Sequence, residues 1–180
     1  MLTPLDTPRL ALRAPVEGDI PALFEIFRDA EAMRYWSRPE MKDPAEAEAL
    51  LREIERNASG ETFLQWGIAR REDDLVIGTC TLHRINREHR RAELGYILRR
   101  DHWGRGLARE ALTALLDHAF GMMALHRLEA DIDPRNAGSI RLVERLGFTL
   151  EGRLRERYFV AGDIQDSAIY GLLSPEWRPR

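Results

Sequence analysis

Apolar and polar residues alternate in RLALRA (residues 9–14), the two-residue period of a half-buried strand. Past residue 18 the period lengthens. Ile20, Leu23, Phe24 and Phe27 recur at helical spacing, and Asp19 with Pro21 just behind it marks a helix start over 18–29. A second helix is expected over 44–57, capped by Asp43 and with Gly60 beyond its end. TFLQWGIAR (62–70) and LVIGTCTLH (75–83) flank the charged triplet Glu72-Asp73-Asp74 and read as an antiparallel hairpin. RAELGYILR (91–99) follows as a third strand. Its Ala92, Leu94, Tyr96 and Leu98 share one face, and Glu93, Gly95 and Ile97 the other.

Downstream, Leu107, Ala111, Leu115 and Ala119 form an apolar stripe, widened by Leu112 and Met122, that predicts a helix over 107–121. HRLEADI alternates again, with Leu128, Ala130 and Ile132 on one face. A short helix over 137–146 follows Asn136 and stops at Gly147. The stretch 148–173 reads as two strands joined near Ala161-Gly162-Asp163. Helices and strands mix without strict βαβ alternation. The expectation is therefore one domain over 1–180, α/β of the α+β type, with a mixed sheet.

The 180 residues are 44% hydrophobic and 32% charged, as in globular domains. No apolar run approaches the ~20 residues of a membrane helix, and MLTPLDTPRL lacks the basic-then-apolar order of a signal peptide, so the expected location is cytoplasmic, with no membrane partner. The single cysteine, Cys80, lies in an apolar run and reads as a buried strand residue. A net charge of −3 does not argue for nucleic acid, although arginines cluster at Arg87, Arg90, Arg91 and at Arg153, Arg155, Arg157. The histidines show no metal-ligand spacing, so no metal is expected.

Candidate chemistry concentrates in two places. The first is Trp103-Gly104-Arg105-Gly106-Leu107-Ala108, between a strand and an amphipathic helix. Small residues let backbone approach a ligand, and the helix start adds free N–H groups and a positive dipole end. Together these suit a phosphate or pyrophosphate. The Gly-Lys-Ser/Thr of a P-loop is absent, and Arg109 stands where a dinucleotide fingerprint needs glycine. The second is DPRNAGSIRLVERLGF, in which Asn136 and Ser139 both suit a helix start.

In this order and spacing the two resemble the GNAT superfamily of acetyltransferases. Gly106 and Ala108 match the small residues of that family's Gln/Arg-x-x-Gly-x-Gly/Ala signature. Trp103 departs from its first position. The W-G-x-G form, TPRLALR, AELGYIL, NAGSIRLVERLGF and GDIQDSAIYGLL are similar to the branch that acetylates ribosomal-protein N-termini. The resemblance implies a mostly antiparallel sheet whose one parallel strand pair splays apart to admit the pantetheine arm of acetyl-CoA. It places the arm against backbone at Ile97, Leu98 and Arg99, and the pyrophosphate on Trp103, Gly104, Arg105, Gly106, Leu107 and Ala108. Asn136 would meet the pantetheine or the neighbouring strand end. Dimers are common in that branch, so a homodimer is an expectation it carries.

Acetyl transfer to an amine needs a proton acceptor, an oxyanion donor and an acid for the departing thiol. Glu93, on the face of Ile97, is the candidate base, directly or through water. A bulge at Gly95 could turn a main-chain N–H near Tyr96 or Ile97 to the thioester oxygen. Ser139 is the candidate proton donor by resemblance, with Tyr158 and Tyr170 as substitutes. Met33, Tyr35 and Trp36 are candidates for the amine pocket or the core, and Asp163 and Asp166 for attracting a cationic acceptor. The acceptor is a protein N-terminal amine or a small-molecule amine such as a polyamine, an aminoglycoside or an amino-acid metabolite. A CoA-binding module without turnover and a mononucleotide-binding oxidoreductase are the competing classes.

Overall fold

The computed structural model describes residues 2–57 and 62–178. Gly60, expected beyond the second long helix, lies outside them. In chain order the elements are β1 (Leu5–Asp6), β2 (Leu10–Arg13), α1 (Ile20–Phe27), α2 (Ala30–Met33), α3 (Pro44–Asn57), β3 (Phe63–Arg70), β4 (Val76–Asn86) and β5 (Arg91–Leu98). They continue with α4 (Leu107–Asp117), β6 (Arg127–Ile132), α5 (Ala137–Arg145), β7 (Thr149–Val160) and β8 (Asp163–Leu173). β1 and α2 are additions to the sequence reading. Both are too short for a hydrophobic period to register. α2 exists because the Asp29 carboxylate caps it, accepting from Glu31 and Ala32 N–H.

Eight strands form one sheet in the order β1-β2-β3-β4-β5-β6-β8-β7. Every neighbouring pair is antiparallel except β5 and β6, the mixed sheet that the element order predicts. α1 and α3 cover one face, where Leu23, Ile26, Phe27, Leu50 and Ile54 bury against Ala69, Val76 and Ile97. α4 and α5 cover the other, with Leu107, Ala111, Leu112, Leu115 and Val143 against Leu12, Trp66, Leu82, Leu94 and Leu128. The alternation read in β5 is thus real: Leu94 and Leu98 enter one core and Ile97 the other. Cys80 is buried, and burial pushes its thiol well above the usual range.

Met122, expected on the α4 stripe, is instead 82% exposed. The helix changes to a π turn over His118–Met122, whose wider repeat carries Met122 off the stripe. At the far edge, the β7–β8 hairpin turns at Ala161 (φ 49°) and Gly162 (φ 91°), the two left-handed residues of a type I′ turn. β7 is an exposed edge strand. Its pairing with β8 breaks between Leu154 and Tyr158, with Glu156 at φ 52°.

Candidate active site

The site begins where the parallel pair ends. Arg91, Ala92 and Glu93 pair with Arg127, Leu128 and Glu129; beyond them β5 and β6 no longer pair. Arg99 N–H donates to Ile77 C=O on β4 (2.7 Å). Alternation therefore turns the main-chain groups of Ile97 to β4 and those of Tyr96 and Leu98 to the edge that β6 has left. At that edge the Trp103 indole N–H donates to Leu98 C=O (2.7 Å). Trp103 thus braces the glycine loop against the end of β5 while remaining about half exposed.

Gly104 and Gly106 lie at φ 73° and 76°. Side chains rarely adopt this region, which explains both glycines. Gly106 is the N-cap of α4 and brings no side chain to cap it, so the first N–H groups of the helix stay available. The exposed Arg105 and Arg109 make no ion pair among the described residues, and their charge adds to the dipole end of α4. Arg99 is instead tied to Asp101, and chiefly for that reason the Asp101 carboxyl falls to about 2. The arrangement suits a pyrophosphate: an uncapped helix start, a loop that only glycines can follow, and free cations.

Across the gap, Asn136 caps α5 by accepting from Ser139 N–H (3.0 Å). The Ser139 hydroxyl lies near that of Tyr96, a residue that sequence reasoning left as a strand residue. The Tyr96 hydroxyl is buried and makes no hydrogen bond of standard geometry. Burial pushes it up to about 12, with Ser139 easing its ionisation slightly. Ser139 and Tyr96 stand on the α4–α5 side of the sheet. Glu93 stands on the other side, at the last paired position before the strands part, so the two candidate catalytic residues lie on opposite faces of the sheet.

Glu93 is buried and accepts from Arg84 Nη1 at 3.0 and 3.2 Å. Arg84 (φ 50°) occupies the irregularity of β4 between His83 and Asn86. The bulge expected at Gly95 is therefore absent: Gly95 sits in an unbroken ladder opposite Thr81, and the extra residue lies on the partner strand. Space does not require the glycine either, since a Cβ there would lie 3.9 Å from His83 Nε2, an ordinary contact. His83 Nδ1 is 4.0 Å from Glu93, and burial lowers its pKa, so the ring is held neutral. No local sequence pattern singled out His83; the hairpin register against Glu93 could have.

Asp131 on β6 lies beyond. It accepts from Tyr158 Oη (2.6 Å) and Ser167 Oγ, and Arg157 pairs with it at 3.4 Å. Burial and then Asp131 push Tyr158 up to about 12. Tyr158 is thus held on the Glu93 side, away from Ser139, and Tyr170 is a core residue of the α5 side. Asp163 is paired with Arg135 (3.2 Å), which Asp133 shares, while Asp166 accepts Glu156 N–H (3.0 Å) and makes no ion pair among the described residues. Met33 is core, Trp36 stacks edge-on against Phe27, and Tyr35 lies under Arg34 and Arg135.

Residues 9–149 match the family described as Acetyltransferase (GNAT) domain. The chain belongs to the GNAT acetyltransferase family. As a GNAT acetyltransferase it is an acyltransferase that takes its acetyl group from acetyl-CoA. It is 35% identical to the N-acetyltransferase p20 of Bacillus licheniformis over 96% of this chain and 97% of that one. Among solved structures it resembles the spermidine N-acetyltransferase of Vibrio cholerae in complex with CoA and spermine. The identity is 27%, the TM-score 0.83, and the coverage 94% of this chain and 98% of that one. The fold is also that of the ribosomal-protein-S5-alanine acetyltransferase of Vibrio fischeri, at 21% identity, TM-score 0.84 and coverage of 98% and 100%. No helix among the described residues is long and apolar enough to cross a membrane.

Proposed function

We propose that this GNAT acetyltransferase acetylates a primary amine of the protein N-terminal kind, such as that of a ribosomal protein. The observation that carries the site is the parting of β5 and β6 beside the uncapped start of α4. When bound there, acetyl-CoA supplies an acetyl thioester. The loop from Gly104 to Ala108 holds its pyrophosphate, the edge of β5 at Leu98 and the amide of Asn136 hold the arm, and Arg99 and Trp103 brace that edge. Glu93 receives the proton of the attacking amine, directly or through water, with neutral His83 beside it. Ser139 protonates the departing sulfur, and the Tyr96 hydroxyl beside it stays protonated.

A polyamine is the second reading, favoured by the 29% identity to a spermidine N(1)-acetyltransferase of Vibrio cholerae over 96% of this chain. Charge favours the first. On the acceptor face the carboxylates of Glu93, Glu129 and Asp131 are met by Arg84, Arg91, Arg127 and Arg157. A polycation needs carboxylates in surplus, and the ion pairs of this face, with Arg127 also meeting Glu151, leave none among the described residues. An α-amine, with a pKa of about 8, is also easier to deprotonate than an alkyl amine near 10.

The test measures free thiol release with N-terminally free peptides and with spermidine, for the wild type, Glu93→Gln and Ser139→Ala over pH 6 to 9. Glu93→Gln should lower kcat/KM about 100-fold, the usual worth of a general base. Wild-type profiles for both variants would remove these roles. A kcat/KM for spermidine above that for every peptide would reverse the choice of acceptor.

A further inference from the structure

Thr7 and Arg9, in the turn between β1 and β2, reach across the molecule to the first turn of α4. Glu110 Oε1 accepts from Thr7 Oγ1 (2.7 Å) and from the Arg9 main-chain N–H (2.8 Å). Its other oxygen accepts from Arg9 Nε (2.6 Å). Burial alone would raise the Glu110 carboxyl, but these hydrogen bonds outweigh it and keep the group below the usual range. Three anchors thus orient the guanidinium, and its Nη1 donates to Arg105 C=O (3.0 Å). Its Nη2 lies 3.6 Å from where a Cβ on Gly106 would be.

That carbonyl belongs to the peptide unit that carries the Gly106 N–H. In a planar trans peptide the C=O and N–H point opposite ways. Holding Arg105 C=O toward Arg9 therefore holds Gly106 N–H away from it, on the opposite side of the loop. The unit lies between the α-carbons of Arg105 and Gly106, and on its Gly106 side stands the residue type least able to resist a peptide rotation by itself. We infer that Arg9, anchored by Thr7 and Glu110, is a positioning residue. It locks the Arg105–Gly106 peptide so that Gly106 N–H is presented to the pyrophosphate of acetyl-CoA. The inference rests on the reading of the glycine loop as the pyrophosphate cradle. It gives the TPR segment near the start of the chain a part in cosubstrate binding although that segment need not touch the cosubstrate.

Two acetyl donors separate this role from a structural one. S-acetyl-pantetheine carries the same thioester as acetyl-CoA but no pyrophosphate. Arg9→Met should raise KM for acetyl-CoA about tenfold, the weight of one hydrogen bond to a charged group, and leave kcat intact. The same variant should use S-acetyl-pantetheine as the wild type does. An unchanged kcat/KM for acetyl-CoA would overturn the inference, as would a proportionate loss with both donors, since that would mean Arg9 acts through the fold. Gly106→Val, measured with both donors, tells the two failures apart. If it impairs acetyl-CoA alone while Arg9→Met impairs neither, the loop reading stands and the role of Arg9 falls. If both variants leave acetyl-CoA use untouched, the loop reading falls as well.

Discussion

Gly78 of β4 lies opposite Leu98 of β5. A Cβ there would lie 2.4 Å from Ile97 C=O and 3.1 Å from Leu98 Cα, both main chain. Main chain cannot swing aside, so Gly78→Ala must push apart the two strands that lead to the site. We expect a loss of ~2–3 kcal/mol, at the upper end of overpacking, read by urea unfolding. Gly171→Ala is the contrast. Its Cβ would meet the ends of the Glu151 and Arg127 side chains, which can move, and the exposed pair it disturbs is worth under about 1 kcal/mol. Individual residues were the least legible part of the chain. Glycines at 104 and 106 announced themselves by their setting. Gly95 has no such setting: its ladder is regular, and a Cβ there would make only an ordinary contact with His83 of the neighbouring strand. Glu93 could be read as a face residue of β5, but not its Arg84 partner, because that pairing needs a bulge that no local pattern encodes.

Elements with a sustained period were read closely. β3, β4, β5, β6, α3 and α5 begin and end within a few residues of the expected places, and the apolar stripe of α4 is buried as far as Ala119. What escaped was shorter than a period or broke it: β1, α2 and the π turn after Asp117. The loop between β5 and α4 owes its shape to a contact of five residues' reach, from the Trp103 indole to Leu98 C=O. Trp103→Phe keeps the ring and removes only the donor. Acetyl-CoA should then bind about fivefold more weakly by calorimetry, the worth of one neutral hydrogen bond, with the thermal midpoint nearly unchanged. Equal affinity would show that the brace does not hold the loop.

At the scale of the molecule, acid sensitivity follows from two half-buried imidazoles. Burial lowers the pKa of His83 and of His118, which packs edge-on against Trp66 at 5.8 Å. Unfolding frees both to titrate near the ordinary value of about 6.5. Below that value the unfolded chain holds more protons than the folded one. Stability is therefore full above pH 6.5 and declines as pH falls through the lowered folded pKa values. Melting from pH 7.5 to 5.5 should show this decline, and His118→Phe should shrink it. A variant with the same pH slope as the wild type would show that His118 has no part in it. The overall architecture was legible: a mixed sheet follows from the element order, and the resemblance supplied the splayed pair. Which carboxylates would end up paired was not, since Asp163 meets Arg135 and Asp131 meets Arg157 only after distant segments assemble.

The broken stretch of β7 bears on what the protein avoids. An outermost strand of twelve residues with exposed Leu150 and Leu154 is an invitation to a stray chain to extend the sheet. Between Leu154 and Tyr158 the backbone leaves its repeat, and there it sets Arg155, Glu156 and Arg157 in a row. An incoming strand would lose register halfway along and meet charge at the point of loss. The irregularity acts as a stop signal against fibrous growth, written into the long border of the sheet.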